Sequence, residues 1–394
     1  MKKITILAAI LLLVASMTGT TAAQDDTTLV VWADEILAPT FQPFAEAFAE
    51  EYGVEVEIQQ FQFDDIRSQF VTAAPTGEGP DILIGPHDWV GEFVANGLIS
   101  PVDVSGVEDN LNENAVAAFT YDGEVYGLPY AVDNTAFFRN VDLVPEVPES
   151  WDEVRAISEE LAADDIFGYM IQGADPWHSY TVVSAFGGYV FGFEEGAGYD
   201  PSDVGLDSEG TIAAYTYLGN LIEDGLMPSG LQQESMWELF TSGEGAMMVT
   251  GPWALPTIRE SDVNFEVTPA PAGPGGPARP FLSVRGFMVS ALSDNPTAAQ
   301  TFVAEFLATD ESMQALFDAE NRPPAWSGVE VEDEVIEAFR AAGETGAFQP
   351  AIPEMGNVWQ SWTSQMELSL LDPSSAEAEA MNAAEQVRAA IAGE

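Results

Sequence analysis

The stretch Gly79-Pro80-Asp81-Ile82-Leu83-Ile84-Gly85-Pro86-His87-Asp88-Trp89 restricts the fold of this chain more than any other. Gly79-Pro80 is a turn, and Ile82, Leu83 and Ile84 form the short apolar run typical of a strand buried on both faces. Gly85-Pro86 ends that run, and Val90, Phe93 and Val94 then recur at helical spacing up to the stop at Asn96-Gly97. The polar pair His87-Asp88 therefore sits where a strand hands over to a helix. Ligands of open α/β sheets collect beyond the carboxyl ends of the strands, which places Asp88 to face a ligand. Capping of the helix is the other role open to it.

The residues before this stretch alternate in the same way. Leu29-Val30-Val31-Trp32 reads as a strand, and Phe41, Phe44, Ala45 and Phe48 mark the apolar face of a helix ending near Tyr52-Gly53. Val54, Val56 and Ile58 alternate with Glu55 and Glu57 as in a second strand, and Asp64 is placed to cap a helix bearing Ile66, Phe70 and Val71. The order β-α-β-α-β-α predicts an α/β fold with a doubly wound, mostly parallel sheet flanked by helices. Residues 121–126 read as a hairpin turn, and Asp133-Asn134 interrupts before a strand over 135–139. A second α/β unit follows, with a helix over 151–162, a strand over 167–171, helices around 180–185 and over 208–222, and a strand over 246–249. Residues 269–280 form a Pro/Gly-rich loop, and 376–392 a long, mostly polar helix with one apolar stripe. No internal repeat is evident.

Charge and export narrow the function. The chain carries 65 Asp and Glu against 11 Lys and Arg. Lys2-Lys3, an apolar run over 4–14 and the small residues Thr21-Ala22-Ala23 form a secretory signal cleaved after Ala23, too short to span a membrane. Removing Lys2 and Lys3 with it takes the formal charge from −54 to −56. That excludes nucleic acid as a partner, because phosphates need basic surface, and it excludes docking on anionic lipid. With no cysteine there is neither a disulfide nor a lipid-modified N-terminus. A soluble, exported product, periplasmic or extracellular, is expected.

In combination, the stretches at 29–32, 79–100, 121–142, 175–207, 243–253 and 352–359 carry a resemblance. They include the Gly-Pro-Asp-Ile run with its downstream His-Asp, Gly187-Gly188-Tyr189, and Gly251-Pro252-Trp253. The chain resembles the maltose/maltodextrin-binding proteins of ABC importers over nearly all of its mature length. The resemblance implies two α/β lobes, 24–132 plus 284–331 and 133–283 plus 332–394, with an oligosaccharide bound in the cleft between them. It also implies a membrane ABC permease as partner, no catalytic residue, no metal and no cofactor. A monomer is expected.

Carried over position by position, the resemblance makes Asp88, Asp133, Asp175 and Trp177 sugar-binding residues, and Trp253 and Trp359 stacking tryptophans. Asp34 or Glu35 falls near another sugar-contacting acid, and Glu35 is the candidate. Trp89 stands where the family has an arginine, Arg67 where an acid is usual, Gln233 where a tyrosine is usual, Gly85 in place of a stacking tryptophan and Thr363 in place of an arginine. These departures bear on which sugar is bound. His87 and His178 lack metal-ligand pair spacing and are expected to be structural.

The residue types suit such a ligand on chemical grounds. Carboxylates accept from neighbouring hydroxyls through charge-assisted bonds, and aromatic rings cover C–H faces. The same carboxylates would serve a glycosidase if one had a raised pKa at a fixed distance from the other. The charge itself suggests a saline habitat, where counter-ions screen repulsion between surface carboxylates. The alternative is an acidic one, where many of them would be protonated and a stability maximum near pH 4 would barely change with salt. On the saline reading, stability at pH 7 is expected to rise as monovalent salt goes from millimolar to molar, with most of the gain gone near pH 4. Thermal unfolding across that grid checks it, and stability flat with salt at pH 7 contradicts it.

Overall fold

The computed structural model describes residues 27–173, 175–194 and 198–393, so the expected signal, residues 1–23, lies outside the described residues. The chain opens as its pattern requires, with β1 (Thr28–Asp34), α1 (Leu37–Tyr52), β2 (Glu55–Phe61), α2 (Phe63–Ala73) and β3 (Ile82–Pro86). β1 lies between β2 and β3 and runs parallel to both. In α1 the residues at helical spacing, Leu37, Ala38, Phe41, Ala45 and Phe48, are the buried ones. Asp34 Oδ1 accepts from the N–H groups of Ile36 and Leu37 at 3.0 and 2.8 Å, and Gly53 closes the helix in the left-handed region. Asp81 explains the Gly-Pro-Asp-Ile run. Its Oδ2 accepts from the Val30 N–H at 2.8 Å and its Oδ1 from the Ser293 hydroxyl at 2.5 Å, fixing β3 beside β1.

The α/β class holds, but the sheets are mixed. The ten-residue strand Phe281–Ser290 runs antiparallel to β3, to Leu128–Asp133 and to Ile99–Ser100. In the second sheet, ordered Phe265–Thr268, Ala136–Asn140, Gly245–Thr250 and Phe167–Met170, only the last pair is parallel. The cause is topological: a strand that brings the chain back into a sheet from its far end runs against the strands already there.

Both sheets are covered on both faces. Leu29, Val31, Ile82 and Ile84 join one core cluster, while the alternate residues Trp32 and Leu83 join another. Phe137, Met247 and Val249 likewise pack on one side of the second sheet, and Ala136, Phe138 and Met248 on the other. Phe281 belongs to the core of the second sheet, whereas Phe287 and Val289 of the same strand belong to the first. Leu128–Asp133 and Ala136–Asn140 make a similar passage in the other direction, with Asn134 and Thr135 between them.

The hairpin Thr120–Tyr121 with Glu124–Val125 forms as expected, turning through Asp122 and Gly123 at φ of 50° and 86°. Ala376–Ala392 is helical as expected. Asp64 lies in the first turn of α2 and provides no side-chain cap, Gln62 holding the cap position. The hairpin of Phe191–Glu194 with Gly198–Val204 and the helix Gln233–Ser242 were not foreseen. Among the described residues no helix is long and apolar enough to cross a membrane.

His87 joins the corner after β3 to the crossing strand. It is 1% exposed; its Nδ1 accepts from the Val284 N–H at 3.1 Å and its Nε2–H donates to the Gln349 carbonyl at 3.0 Å. Both ring nitrogens are thus spent on backbone, which makes this a structural histidine. Burial pushes its pKa from 6.5 down to about 4. The unfolded chain takes up the proton first, so the contribution of His87 is whole above pH 6.5 and is lost as pH falls towards 4. The stability margin of wild type over His87→Phe should narrow by roughly 3 kcal/mol across that window. Urea unfolding of both proteins at pH 7 and pH 4 checks this, and an unchanged margin would mean the imidazole takes up its proton as readily in the folded protein as in the unfolded chain.

Candidate functional site

Each sheet ends one strand in a similar corner. β3 runs into Gly85-Pro86, a single turn over His87–Trp89, then the helix Val90–Ala95. Gly245–Thr250 runs into Gly251-Pro252, a turn over Pro252–Ala254, then the helix Leu255–Arg259. In both corners a tryptophan folds back over the glycine. A Cβ on Gly85 would lie 2.3 Å from the Trp89 ring, and one on Gly251 would lie 2.1 Å from the Trp253 ring. Glycine is needed at both places because the ring occupies the side-chain position. The tryptophan follows its glycine by four residues in one corner and by two in the other, which hides the correspondence from a search for repeats.

A buried ionic cluster lies between the corners. Arg285 pairs with Asp34 and donates from Nε to the Tyr130 hydroxyl at 3.0 Å, and Tyr130 donates to Glu320 Oε2 at 3.2 Å. Arg322 donates to Asp133 Oδ2 at 2.5 Å, and its Nε lies 2.6 Å from Glu320 Oε2. All six residues are buried. Burial works to raise the Asp34 carboxyl, but Arg285, Arg322 and the Leu37 N–H outweigh it and hold the pKa below the usual value. For Glu320, burial prevails over both arginines and the pKa is raised. Both guanidinium groups stay firmly protonated: burial opposes the charge, and the surrounding acids overcome it.

Aromatic rings continue the cluster on both sides. The Arg285 guanidinium lies 5.5 Å from the Phe63 ring centre, and Phe63 lies 5.7 Å from Trp89. The Arg322 guanidinium lies 5.4 Å from the Trp253 ring centre, and Trp253 lies 5.6 Å from Trp177. A line of rings and ions thus runs from the corner of one sheet to the corner of the other. Gln349 braces its far end, its Oε1 accepting from Trp177 Nε1 at 2.9 Å while its carbonyl receives His87. Gln233 holds Trp253, accepting from Nε1 at 3.0 Å.

The structure brings some expected residues together and leaves others apart. Asp133, Trp177, Trp253 and Trp89 lie on this line. Of the alternatives Asp34 and Glu35, Asp34 is the one in the ionic cluster; Glu35 accepts from the Phe63 N–H at 3.0 Å and anchors the start of α2. Asp88 is buried and supplies no helix cap, which removes its capping role. Burial pushes its carboxyl up to about 7 against the pull of Arg67. Arg67 is tied by Nε to Glu92 at 3.1 Å. Asp175 caps the helix Pro176–Ala185, accepting from the N–H groups of Trp177 and His178, and its second oxygen lies 2.6 Å from His178 Nδ1. Trp359 stacks on Trp362 at 5.9 Å against the core of the second sheet, with no described ring contact to Trp177 or Trp253.

Arg285, Arg322, Glu320, Tyr130 and Phe63 were not anticipated. One cue existed: Arg285 is the one charge in a mostly apolar strand, in a chain whose only fixed cations beyond Lys2 and Lys3 are nine arginines. Chemically, the site offers hydrogen-bond acceptors and apolar faces. Asp88 Oδ1, Asp133 Oδ1 and Glu320 Oε1 are buried and have no hydrogen-bond partner within the protein.

The family described as bacterial extracellular solute-binding protein matches residues 44–342. A galactooligosaccharide-binding protein of Bacillus subtilis (strain 168) is 30% identical over 84% of this chain and 82% of its own length. A maltotriose-binding protein of Pyrococcus abyssi (strain GE5 / Orsay) is 29% identical over 90% of this chain and 80% of its own. A maltodextrin-binding protein of Bacillus subtilis (strain 168) is 26% identical over 84% and 82%. This chain belongs to the bacterial extracellular solute-binding protein family.

Proposed function

We propose that the chain captures a neutral oligosaccharide between its two lobes and delivers it to an ABC permease. The observation that carries this reading is the pairing of unpartnered buried acceptors with tryptophan rings. Buried acceptors without partners are costly, and a ligand rich in hydroxyl donors relieves that cost while its C–H faces cover the rings. The two arginines do not invite an anion, because Asp34, Asp133 and Glu320 already surround them. The ligand residues of this reading are Asp88, Asp133, Trp89, Trp177 and Trp253, with Glu35, Arg67, Asp175 and Trp359 around them. The lobes are 24–132 plus 284–331 and 133–283 plus 332–394, and they close about the crossings at 131–134 and 284–287.

Maltose, maltodextrin or a related α-glucoside is the first candidate, in line with what two of the relatives are named for. A galacto-oligosaccharide is the second. The relative at 30% identity is named for it, and the platform over Gly85 comes from Trp89 rather than from position 85, which changes the wall the sugar meets. A thermal-shift panel of maltotriose and galactotriose tests both, since a ligand that binds only the folded state raises the melting temperature. Scattering with the sugar that binds should show a smaller radius of gyration. A shift with neither sugar sinks the reading.

One observation favours a carbohydrate-active enzyme instead: Asp88, with its pKa near 7, has the proton a glycosidase acid needs. Release of reducing ends from either trisaccharide would support that alternative; binding without turnover supports the carrier. Trp253→Ala should weaken binding about tenfold or more, through loss of a stacked ring and of the cation–π contact with Arg322. Asp133→Asn should also weaken it, through loss of charge assistance. Calorimetric titration of the two variants checks both effects, and wild-type affinity in both would place the sugar elsewhere.

A further inference from the structure

We propose that His178 contacts the ligand, its Nε2 accepting a hydrogen bond from a sugar hydroxyl, and that Asp175 is a positioning residue acting through it. The proposal rests on the oligosaccharide reading above and adds a residue to it. The protein has two histidines, and they differ in kind. His87 uses both nitrogens on backbone. His178 is 5% exposed and uses only Nδ1, at 2.6 Å from Asp175 Oδ2, while its Nε2 is buried without a hydrogen-bond partner.

The Asp175 pair fixes the tautomer. Asp175 accepts from the N–H groups of Trp177 and His178 and from the imidazole, contacts that favour its ionised form against the penalty of burial. An ionised carboxylate accepts, so Nδ1 carries a proton, and in the neutral ring Nε2 then presents a lone pair. Asp175 itself has both oxygens engaged, Oδ1 by two backbone N–H groups and Oδ2 by the imidazole. A reach towards ligand from this turn passes more readily through the ring than through the carboxylate.

The placement supports the role. The imidazole stands edge-on to Trp177 and Trp253, with ring centres 5.3 and 5.6 Å away. From the other sheet, burial first and then the Asp175 charge raise the Asp64 carboxyl on α2, while His178 pulls it down. Nε2 then joins Asp88 Oδ1, Asp133 Oδ1 and Glu320 Oε1 as a fourth unpartnered acceptor. Buried acceptors left without partners favour a ligand that brings donors. The bond to Asp175 uses Nδ1 alone and leaves Nε2 as a buried polar atom that a ligand can satisfy.

Nitrogen-15 imidazole spectra of the mature protein at pH 8 test this, because there are only two rings to resolve. In the free protein His87 should be protonated at Nε2 and His178 at Nδ1. Adding whichever of maltotriose or galactotriose raises the melting temperature should move the His178 Nε2 resonance and leave His87 in place. His178→Phe should bind that sugar about 2- to 10-fold more weakly, the range for one hydrogen bond. Asp175→Asn should weaken binding in the wild-type background and change nothing further in the His178→Phe background. A protonated Nε2 in the free protein, a resonance unmoved by a sugar that binds, or wild-type affinity in His178→Phe overturns the proposal. If neither sugar binds, the oligosaccharide reading falls and this one with it.

Discussion

Two guanidinium groups, Arg285 and Arg322, are held out of water by Asp34, Asp133 and Glu320, and the site is arranged around that pairing. Burying five ionisable groups carries a desolvation penalty that apolar side chains of similar volume would avoid, so stability alone does not account for the cluster. It does set direction. Arg285 lies on the crossing strand Phe281–Ser290, and Asp133 ends the strand that leads into the second sheet. The ions therefore sit at the passages between the two cores, where a change in the angle between the lobes would disturb them. Each arginine also presents its guanidinium to an aromatic ring, Phe63 on one side and Trp253 on the other. The polar floor and the apolar walls are thus placed by the same two side chains.

The corners complete the arrangement. Gly85 and Gly251 let a tryptophan lie across the end of a strand, and the prolines that follow set the direction of the next turn. Behind the first corner, His87 is locked to Val284 and Gln349, and Gln349 also holds Trp177. A residue of the first sheet's corner and a tryptophan of the second sheet's helix therefore share one glutamine. Asp88 Oδ1, Asp133 Oδ1 and Glu320 Oε1 are left uncommitted, the arrangement the proposed binding site would need.

Much of this could be read from the chain. Ile82, Leu83 and Ile84 announced a buried strand because all three are apolar, and they alternate between two cores. Asp88 could be read from its place at the strand end, whereas Asp133, Trp177 and Trp253 came only with the family resemblance. The ionic floor was not, because Arg285, Glu320 and Arg322 meet Tyr130 and Asp34 only after distant segments fold together. Glu35 shows the limit within two residues: the register of the family resemblance could not decide between it and Asp34, and the structure places only Asp34 in the ionic cluster. The antiparallel run of Phe281–Ser290 was equally hidden, since strand direction is set by where the chain re-enters the sheet.

The central claim is that the floor is balanced for a neutral ligand, its arginines being neutralised by acids of the protein. Calorimetric titration with galactotriose and with its uronic-acid counterpart, trigalacturonate, at equal ionic strength tests that most directly. Should maltotriose prove the tighter binder, it takes the place of galactotriose as the neutral reference. The account predicts saturable binding of the neutral trisaccharide and at least about tenfold weaker binding of the uronate, a difference of about 1.4 kcal/mol. Equal or tighter binding of the uronate would contradict it, because Arg285 or Arg322 would then have to leave its buried carboxylate for the ligand.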